Sequence, residues 1–209
     1  TSGVKGVMIR AGWTWYEGGM NVDTNFIENI LGATSVGLDV GVYVYSYDHS
    51  PKAARIGANK LLQLIKPYKI TLPVVFDIEY EPFNLQAGKQ LNTDIALAFL
   101  QTIEEAGYYA MLYCSTNFIK TYLDESRLSK YDKWIAQYGS KCTYDGSYSL
   151  WQYSSKGTVP GITTNVDLNH QYKPLAEIIS KAGLNKPVTP KADPRIEAFE
   201  QIKSIVLGV

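Results

Sequence analysis

The chain has 209 residues, of which 45% are hydrophobic and 19% charged, a composition typical of a sizeable folded core rather than of disorder. The 20 Lys and Arg residues balance the 20 Asp and Glu residues, so no basic surface for a nucleic-acid partner is expected. No apolar run approaches the roughly 18 residues of a membrane span, and the first residues lack the basic start and apolar stretch of a signal peptide.

Short apolar runs typical of buried strands alternate with stretches that have the apolar spacing of helices. The predicted strands cover residues 4–12, 39–47, 72–80, 108–115, 133–139, 148–155 and 164–170. The predicted helices lie within residues 23–37, 50–68, 91–107, 116–131 and 171–183. Asp23 is predicted to cap the first helix and Gly37 to end it, and Pro51 suits the first turn of the second.

A helix fills each of the first three intervals between strands, which indicates a parallel sheet covered by helices. The last connections are short, and residues 139–163 do not supply the crossover helix that a regular doubly wound sheet requires. We therefore predict an α/β fold, an irregular TIM-like (β/α) barrel with fewer helices than strands. The doubly wound sheet is the alternative.

The composition changes near the C-terminus, so the barrel is predicted to occupy residues 1–184. Residues 185–194, "NKPVTPKADP", are rich in Pro and Lys and are predicted to be a linker. Residues 195–209, "RIEAFEQIKSIVLGV", have the spacing of an amphipathic helix. This helix either packs on the barrel or begins a second module.

The two cysteines, Cys114 and Cys142, are predicted to be free thiols rather than a disulfide. Neither belongs to a Cys/His cluster, so no metal is expected. The chain also contains no glycine-rich phosphate loop. We therefore expect a protein without a cofactor.

Two carboxylates, Asp77 and Glu79, end the apolar run "LPVVFDIEY". Residues two apart on a strand share a face, so both acids should face the barrel axis while Phe76 and Ile78 meet the helices. Barrel enzymes place their active sites at this end of the strands. A buried acid costs several kcal/mol unless it is paired, neutralised or hydrated. The pair therefore indicates acid–base chemistry such as glycoside hydrolysis, or else a loop cap and an ion pair with Arg10.

A third acid, Asp167, ends the last predicted strand. Asp39 and Asp48 flank another strand and are predicted to be turn or capping residues. The 16 tyrosines and 4 tryptophans suit the apolar faces and hydroxyls of sugar rings, but they suit packing within strands equally well.

Several separated segments resemble the family 25 glycoside hydrolases, lysozymes that cut bacterial peptidoglycan as N-acetylmuramidases. The similar segments, which occur in the family's order over about residues 3–183, are "GVMIRAGW", "DTNFIENILGATSVGLDVGVYVYSY", "LPVVFDIEY", "YCSTNFI", "WIAQYG", "LWQYSSKGTVPGI" and "VDLN". The resemblance implies an irregular barrel of eight strands. It also implies cleavage of the β-1,4 bond between N-acetylmuramic acid and N-acetylglucosamine.

The resemblance also implies roles for individual residues. Glu79 would be the general acid/base, Asp77 would support it and orient the sugar's N-acetyl group, and Asp167 would complete the acidic cluster. The positions that would line the substrate groove are Tyr45, Tyr47, Tyr113, Trp134, Gln137 and Gln152. The implied partner is the glycan strand of peptidoglycan, at the bacterial cell wall, reached by secretion or phage delivery.

The sequence departs from the family at one point. The family begins with a strand that carries a further catalytic Asp in a block like "IDVSxxQG", and these 209 residues contain no such block. The first strand and its Asp are therefore missing from this sequence: either the sequence is truncated before them, or the protein has lost the strand.

Two alternatives to the muramidase remain open. The absent Asp favours a barrel that binds cell-wall glycan without cutting it, although the retained pair of Asp77 and Glu79 argues against it. The other is a different barrel glycosidase, such as a chitinase. Barrel chitinases carry a longer acidic series ending in Glu, of which "VVFDIE" has only the last two acids.

Overall fold

The computed structural model describes residues 3–186. The strands are β1 (Gly6–Thr14), β2 (Met20–Val22), β3 (Asp39–Tyr45), β4 (Val74–Asp77), β5 (Ala110–Ser115), β6 (Asp132–Ala136), β7 (Leu150–Gly157) and β8 (Val166–Gln171). The α-helices are α1 (Phe26–Ser35), α2 (Pro51–Ile65), α3 (Pro82–Glu105), α4 (Thr116–Tyr122) and α5 (Leu175–Lys181), with a 3₁₀ turn at Glu125–Leu128. The predicted helix 195–209 and all but two residues of the predicted linker lie outside the described residues.

The eight strands form one sheet in the order β2-β1-β3-β4-β5-β6-β7-β8. Neighbours are parallel from β1 through β3 to β7, and the two outermost pairs, β1–β2 and β7–β8, are antiparallel. Within residues 3–186, β2 and β8 are the edges, so the sheet is curled without closing. The predicted irregular α/β barrel with fewer helices than strands is confirmed, and this strand order is not that of a doubly wound sheet.

All seven predicted strands are present, with ends that differ by a few residues. The eighth, β2, lies in a stretch predicted to be a loop. A tight turn reverses the chain after β1, where the N–H of Gly18 donates to the carbonyl of Trp15 at 2.8 Å. Residues 20–22 then pair with Gly12–Thr14. A strand of three residues is too short to show the alternation by which strands are predicted.

The helix starts show one prediction confirmed and two corrected. Ser50 caps α2, accepting from the N–H of Ala53 at 3.2 Å, and Pro51 occupies its first turn as predicted. The N-cap of α1 is Asn25, so the prediction for Asp23 is wrong. The Asp23 carboxylate accepts instead from the N–H of Asn25 and from Arg10.

The start of α3 is also earlier than predicted. The helix begins at Pro82 rather than near residue 91, with a break at Gly88, whose φ of 75° is left-handed. Gly37 ends α1 as predicted, with a φ of 77° and its N–H on the carbonyl of Thr34.

The two faces of β4 divide as the alternation predicts. Phe76 and Ile78 pack in the cluster beneath the helices, where the Phe76 and Phe99 rings lie 4.6 Å apart. Val75 faces the interior and packs with Leu175 and Ile179 of α5. Because α5 fills the end of the interior where the strands begin, the opposite end is left for polar side chains.

The last described residues are tied to the barrel. Asn185 is buried, accepts from the N–H of Tyr109 at 2.7 Å and donates to the carbonyl of Leu72 at 2.9 Å. Both cysteines are free thiols, as predicted. No helix in residues 3–186 is long and apolar enough to cross a bilayer.

Candidate active site

Four of the predicted site residues lie in one row across the sheet, on neighbouring strands. Tyr45, Asp77, Tyr113 and Trp134 are successive partners on β3, β4, β5 and β6. Partners on adjacent strands point to the same face of a sheet. The four side chains therefore line the interior together, at the end where parallel strands of barrels carry their active sites.

Asp77 is a buried carboxylate without a cation bonded to it. Its side chain is 4% exposed, and its Oδ1 atom has no hydrogen-bond partner among residues 3–186. Burial raises the pKa of Asp77 well above its usual range; Glu79 and Asp167 raise it further, and Arg10 opposes them. Without a ligand, this environment favours the neutral carboxyl. The anion becomes favourable when a donor such as a substrate N–H forms a hydrogen bond to it.

Arg10 does not form the ion pair with Asp77 that the alternative interpretation requires. Its Nε atom lies 2.7 Å from Oδ2 of Asp23, and this pair links the middle of β1 to the segment that precedes α1. Arg10 thus affects the pKa of Asp77 only by long-range electrostatics, without a hydrogen bond.

Glu79 lies two residues beyond the end of β4 and is partly exposed. Burial is the largest cause that raises its pKa, followed by the charges of Glu81 and Asp167. No side chain of the described chain donates a hydrogen bond to its carboxylate. A partly exposed carboxyl with a raised pKa is suited to give a proton to a ligand in the groove.

The third predicted acid, Asp167, comes from β8 at the far edge of the sheet. It is exposed, burial raises its pKa, and it lies close enough to raise the pKa values of both Asp77 and Glu79. The structure therefore brings the three predicted acids into one electrostatic cluster. Residues 3–186 contain no group of three or more His, Cys, Asp or Glu side chains arranged to hold a metal ion.

A fourth carboxylate, Glu81, lies beside Glu79 and was not among the predicted site residues. It accepts a hydrogen bond of 2.6 Å from the hydroxyl of Tyr45, and its charge raises the pKa of Glu79 more than that of Asp167 does. The sequence feature that could have indicated Glu81 is its spacing: Asp77, Glu79 and Glu81 are each two residues apart. The alternation of a strand no longer applies there, because β4 ends at Asp77.

Aromatic side chains form the wall beside the acids on β5 and β6. The rings of Tyr113 and Trp134 meet edge to face at 4.6 Å, and Trp134 also contacts Tyr43 at 6.1 Å. The indole N–H of Trp134 donates to Asn169 at 2.8 Å. Burial and Asp77 raise the pKa of Tyr43 to about 12, so its hydroxyl stays protonated at neutral pH.

The predicted residues Gln152 and Gln137 differ in their surroundings. Gln152 is buried, and its Oε1 accepts from the hydroxyls of Tyr113 at 2.9 Å and Tyr138 at 3.0 Å. Gln137 is engaged by the following loop: its Oε1 accepts from the N–H of Thr143, and its Nε2 donates to the Thr143 hydroxyl, each at 2.8 Å. Gln152 thus joins the groove wall, whereas the amide of Gln137 supports a loop.

Tyr45 and Tyr47 line the opposite wall, with their rings 5.0 Å apart. The neighbouring Asp48, predicted to be a turn or capping residue, is instead a buried acid. Its Oδ2 accepts from Thr14 at 2.7 Å and from Ser46 at 3.1 Å. Burial raises the pKa of Asp48 to about 6.

Comparison with known proteins shows the sequence family and similar solved structures. The sequence model of glycosyl hydrolases family 25 matches residues 1–162. The autolytic lysozyme of Clostridium acetobutylicum is 30% identical over 169 residues, which are 80% of this chain and 49% of that protein. The chain therefore spans about half the length of this curated relative.

Solved structures agree with the sequence comparison. The CTP1L endolysin superposes with a TM-score of 0.71 at 27% identity, over 85% of this chain and 61% of that one. The autolysin LytC of Streptococcus pneumoniae superposes with a TM-score of 0.72 at 26% identity, over 81% of this chain and 41% of that one. LytC has also been solved with a synthetic peptidoglycan ligand.

Proposed function

The chain belongs to glycosyl hydrolases family 25, and from this premise we propose that it hydrolyses peptidoglycan. The bond cleaved is the β-1,4 linkage between N-acetylmuramic acid and N-acetylglucosamine. The observation that carries the proposal is the pair at the end of β4. Asp77 is buried with an unsatisfied oxygen, and Glu79 stands beside it with a raised pKa. A lysozyme and an autolysin that binds a peptidoglycan ligand, both similar to this chain, support the same substrate.

Glu79 is the proton donor in this proposal. It protonates the glycosidic oxygen as the bond to the anomeric carbon of N-acetylmuramic acid breaks, so N-acetylglucosamine leaves as an alcohol. Its raised pKa keeps part of the carboxyl protonated at a pH where an ordinary glutamate is ionised. After the first step the carboxylate takes a proton from the water that attacks the anomeric carbon, which returns Glu79 to its starting form.

Asp77 assists through the substrate's own acetamido group. The acetamido oxygen attacks the anomeric carbon, and the Oδ1 atom of Asp77, buried and without a partner among the described residues, accepts the amide N–H. A negative carboxylate there offsets the positive charge that the amide acquires, and water later opens the ring so formed. Asp167 adds negative potential that favours the cationic anomeric centre. Tyr45, Tyr47, Tyr113, Trp134 and Gln152 form the walls that hold the sugars.

Product analysis tests the proposal. Purified peptidoglycan is incubated with the protein, and the released fragments are identified by mass spectrometry after borohydride reduction. We expect reduced ends made of N-acetylmuramic acid. The Glu79→Gln variant should release them about a thousandfold more slowly, because the loss of a general acid typically costs two to four orders of magnitude.

A matched control is Glu105→Gln, since Glu105 is an exposed glutamate at the end of α3, away from the groove. This variant should cleave at the wild-type rate. Reduced ends of N-acetylglucosamine would contradict the proposed bond. Glycan binding without any cleavage by the wild-type protein would favour a non-catalytic binding barrel. Action on peptidoglycan also implies that the protein works at the bacterial cell wall.

A further inference from the structure

Three exposed aromatic side chains form a surface next to the groove, which we call the rim platform: Trp15, Tyr16 and Tyr47. Their exposed fractions are 39%, 52% and 36%. The rings of Trp15 and Tyr47 are nearly parallel, with centroids 6.4 Å apart and an angle of 27° between planes, and Tyr16 meets Trp15 edge to face at 6.0 Å. A contiguous exposed aromatic surface is a candidate binding site.

The rim platform continues the wall of the candidate active site. Trp15 and Tyr47 each lie two residues beyond a register pair, Trp13 and Tyr45, whose strands bring them to the groove. The Tyr47 ring is 5.0 Å from that of Tyr45, and the Tyr45 hydroxyl donates to Glu81 beside Glu79. Aromatic rings therefore run without a gap from the acids to the outer edge of the groove.

The turn that carries the platform is built to hold Trp15 in place. The N–H of Trp15 donates to the carbonyl of Gly19 at 3.0 Å. The indole lies directly on this glycine, since a Cβ at Gly19 would come within 2.6 Å of its Cδ1 atom. Gly18 has a φ of +92° and faces Ile56 of α2 so closely that a Cβ would lie 2.7 Å from the Ile56 Cβ. Only glycine at these two positions allows the turn to pack between the indole and the helix.

Buried hydrogen bonds hold the two loops of the platform against each other. Asp48 accepts from the hydroxyls of Thr14 and Ser46, one at the end of each strand. The Thr14 hydroxyl in turn accepts from the N–H of Tyr47 at 3.2 Å. These bonds position the backbone of both loops without a ligand, and a preorganised backbone reduces the entropy lost on binding.

We infer that the rim platform is a distal sugar subsite, on which a ring of the glycan strand stacks several units away from the bond that is cut. Pyranose rings present apolar C–H faces that match exposed aromatic faces. The inference rests on the proposed function, since it assigns a further part of the same strand to the same groove. It makes the protein specific for long glycan strands over short fragments.

The test is the dependence of binding on glycan length. Uncrosslinked peptidoglycan glycans of two lengths, a disaccharide and an octasaccharide, are titrated calorimetrically into the Glu79→Gln protein, which preserves them intact. We expect the octasaccharide to bind more tightly than the disaccharide. Adding Trp15→Ala should weaken octasaccharide binding by about five- to tenfold, the range of a lost aromatic contact, and leave disaccharide binding unchanged.

The control is Tyr172→Ala. Tyr172 is 55% exposed, and its N–H donates to Ser149 just before β7, at the opposite end of the strands from the groove. This variant should bind both glycans as the parent does. Equal affinity for the two lengths, an equal loss for both in Trp15→Ala, or no loss for the octasaccharide would overturn the inference.

The same experiment separates the inference from the proposed function. Length-dependent binding that requires Trp15 supports the distal subsite even if the wild-type protein cleaves nothing, which would refute only the proposed hydrolysis. Cleavage by a wild-type protein whose affinity is independent of Trp15 refutes only the subsite.

Discussion

Asp77 and Asp48 are two buried carboxylates at the ends of neighbouring strands, and each has an Oδ1 atom without a partner among the described residues. Their surroundings differ. Asp77 lies on the interior row, where Glu79 and Asp167 surround it with negative charge. Asp48 lies on the helix side, where Thr14 and Ser46 donate to its other oxygen. Burial of an acid is therefore insufficient to identify a site; other acids around it and access to a groove make the difference.

The largest expected difference between Asp77 and Asp48 is the effect of their substitution on kcat. Asp77→Asn removes the charge that we propose stabilises the acetamido group, so kcat on peptidoglycan should fall about 100-fold, the usual cost of one preorganised electrostatic contact. Asp48→Asn retains an acceptor for Thr14 and Ser46, so its kcat should stay within about threefold of wild type. Initial rates of reducing-end release measure both. A loss in Asp48→Asn as large as that in Asp77→Asn would break the distinction.

The second effect concerns stability. The pKa of Asp48 is about 6 in the folded chain, against 3.8 for an ordinary aspartate. Its contribution to stability is therefore complete below about pH 4 and is lost as the pH rises through 6. Between pH 4 and pH 7 the free energy of unfolding should fall by about 2 to 3 kcal/mol more in wild type than in Asp48→Asn, at 1.36 kcal/mol per pKa unit. Urea unfolding at both pH values measures this, and parallel pH profiles would contradict it.

A smaller effect is expected from Glu81, whose charge raises the pKa of Glu79. In Glu81→Gln the pKa of Glu79 should fall, because a repelling charge is gone. The basic limb of the kcat/KM profile reports the proton donor of the free enzyme, so it should move to lower pH. A limb that moves upward would show that Glu81 does not act on the proton donor.

The smallest effect compares the two glutamines. Gln137→Ala breaks the hydrogen bonds to Thr143 and should lower the free energy of unfolding by about 1 kcal/mol while KM stays unchanged. Gln152→Ala frees the hydroxyls of Tyr113 and Tyr138 in the groove and should raise KM. A raised KM in Gln137→Ala would show that Gln137 contacts the substrate and would contradict its role as a loop support.

Much of the fold and the central acids were predictable because they depend on local periodicity. Apolar alternation located seven strands, and the inward direction of Asp77 follows from Phe76 and Ile78 meeting the helices. The third acid, Asp167, was predicted at the end of a strand but lies at the start of β8. It still reaches the groove end of the sheet, because β8 runs antiparallel to β7.

The features that could not be predicted depend on contacts between residues that are far apart in the sequence. The role of Asp48 depends on Thr14, which is distant in sequence and packs against Gly57 of α2. The rim platform depends on a hairpin whose second strand has only three residues. Gln137 was assigned to the groove by resemblance, but its amide forms hydrogen bonds with Thr143 in the loop that follows β6. None of these contacts leaves a periodic pattern in the sequence.

The proposed proton transfer from Glu79 is tested most directly by changing the leaving group. Glu79→Gln is compared with wild type on peptidoglycan glycan and on an aryl glycoside of the same terminal N-acetylmuramic acid, whose phenolate leaves without a proton. The first turnover is followed in both cases. We predict a loss of about a thousandfold on the glycan and a loss of less than about tenfold on the aryl glycoside. An equally large loss on both substrates would contradict the assignment of Glu79 as the proton donor.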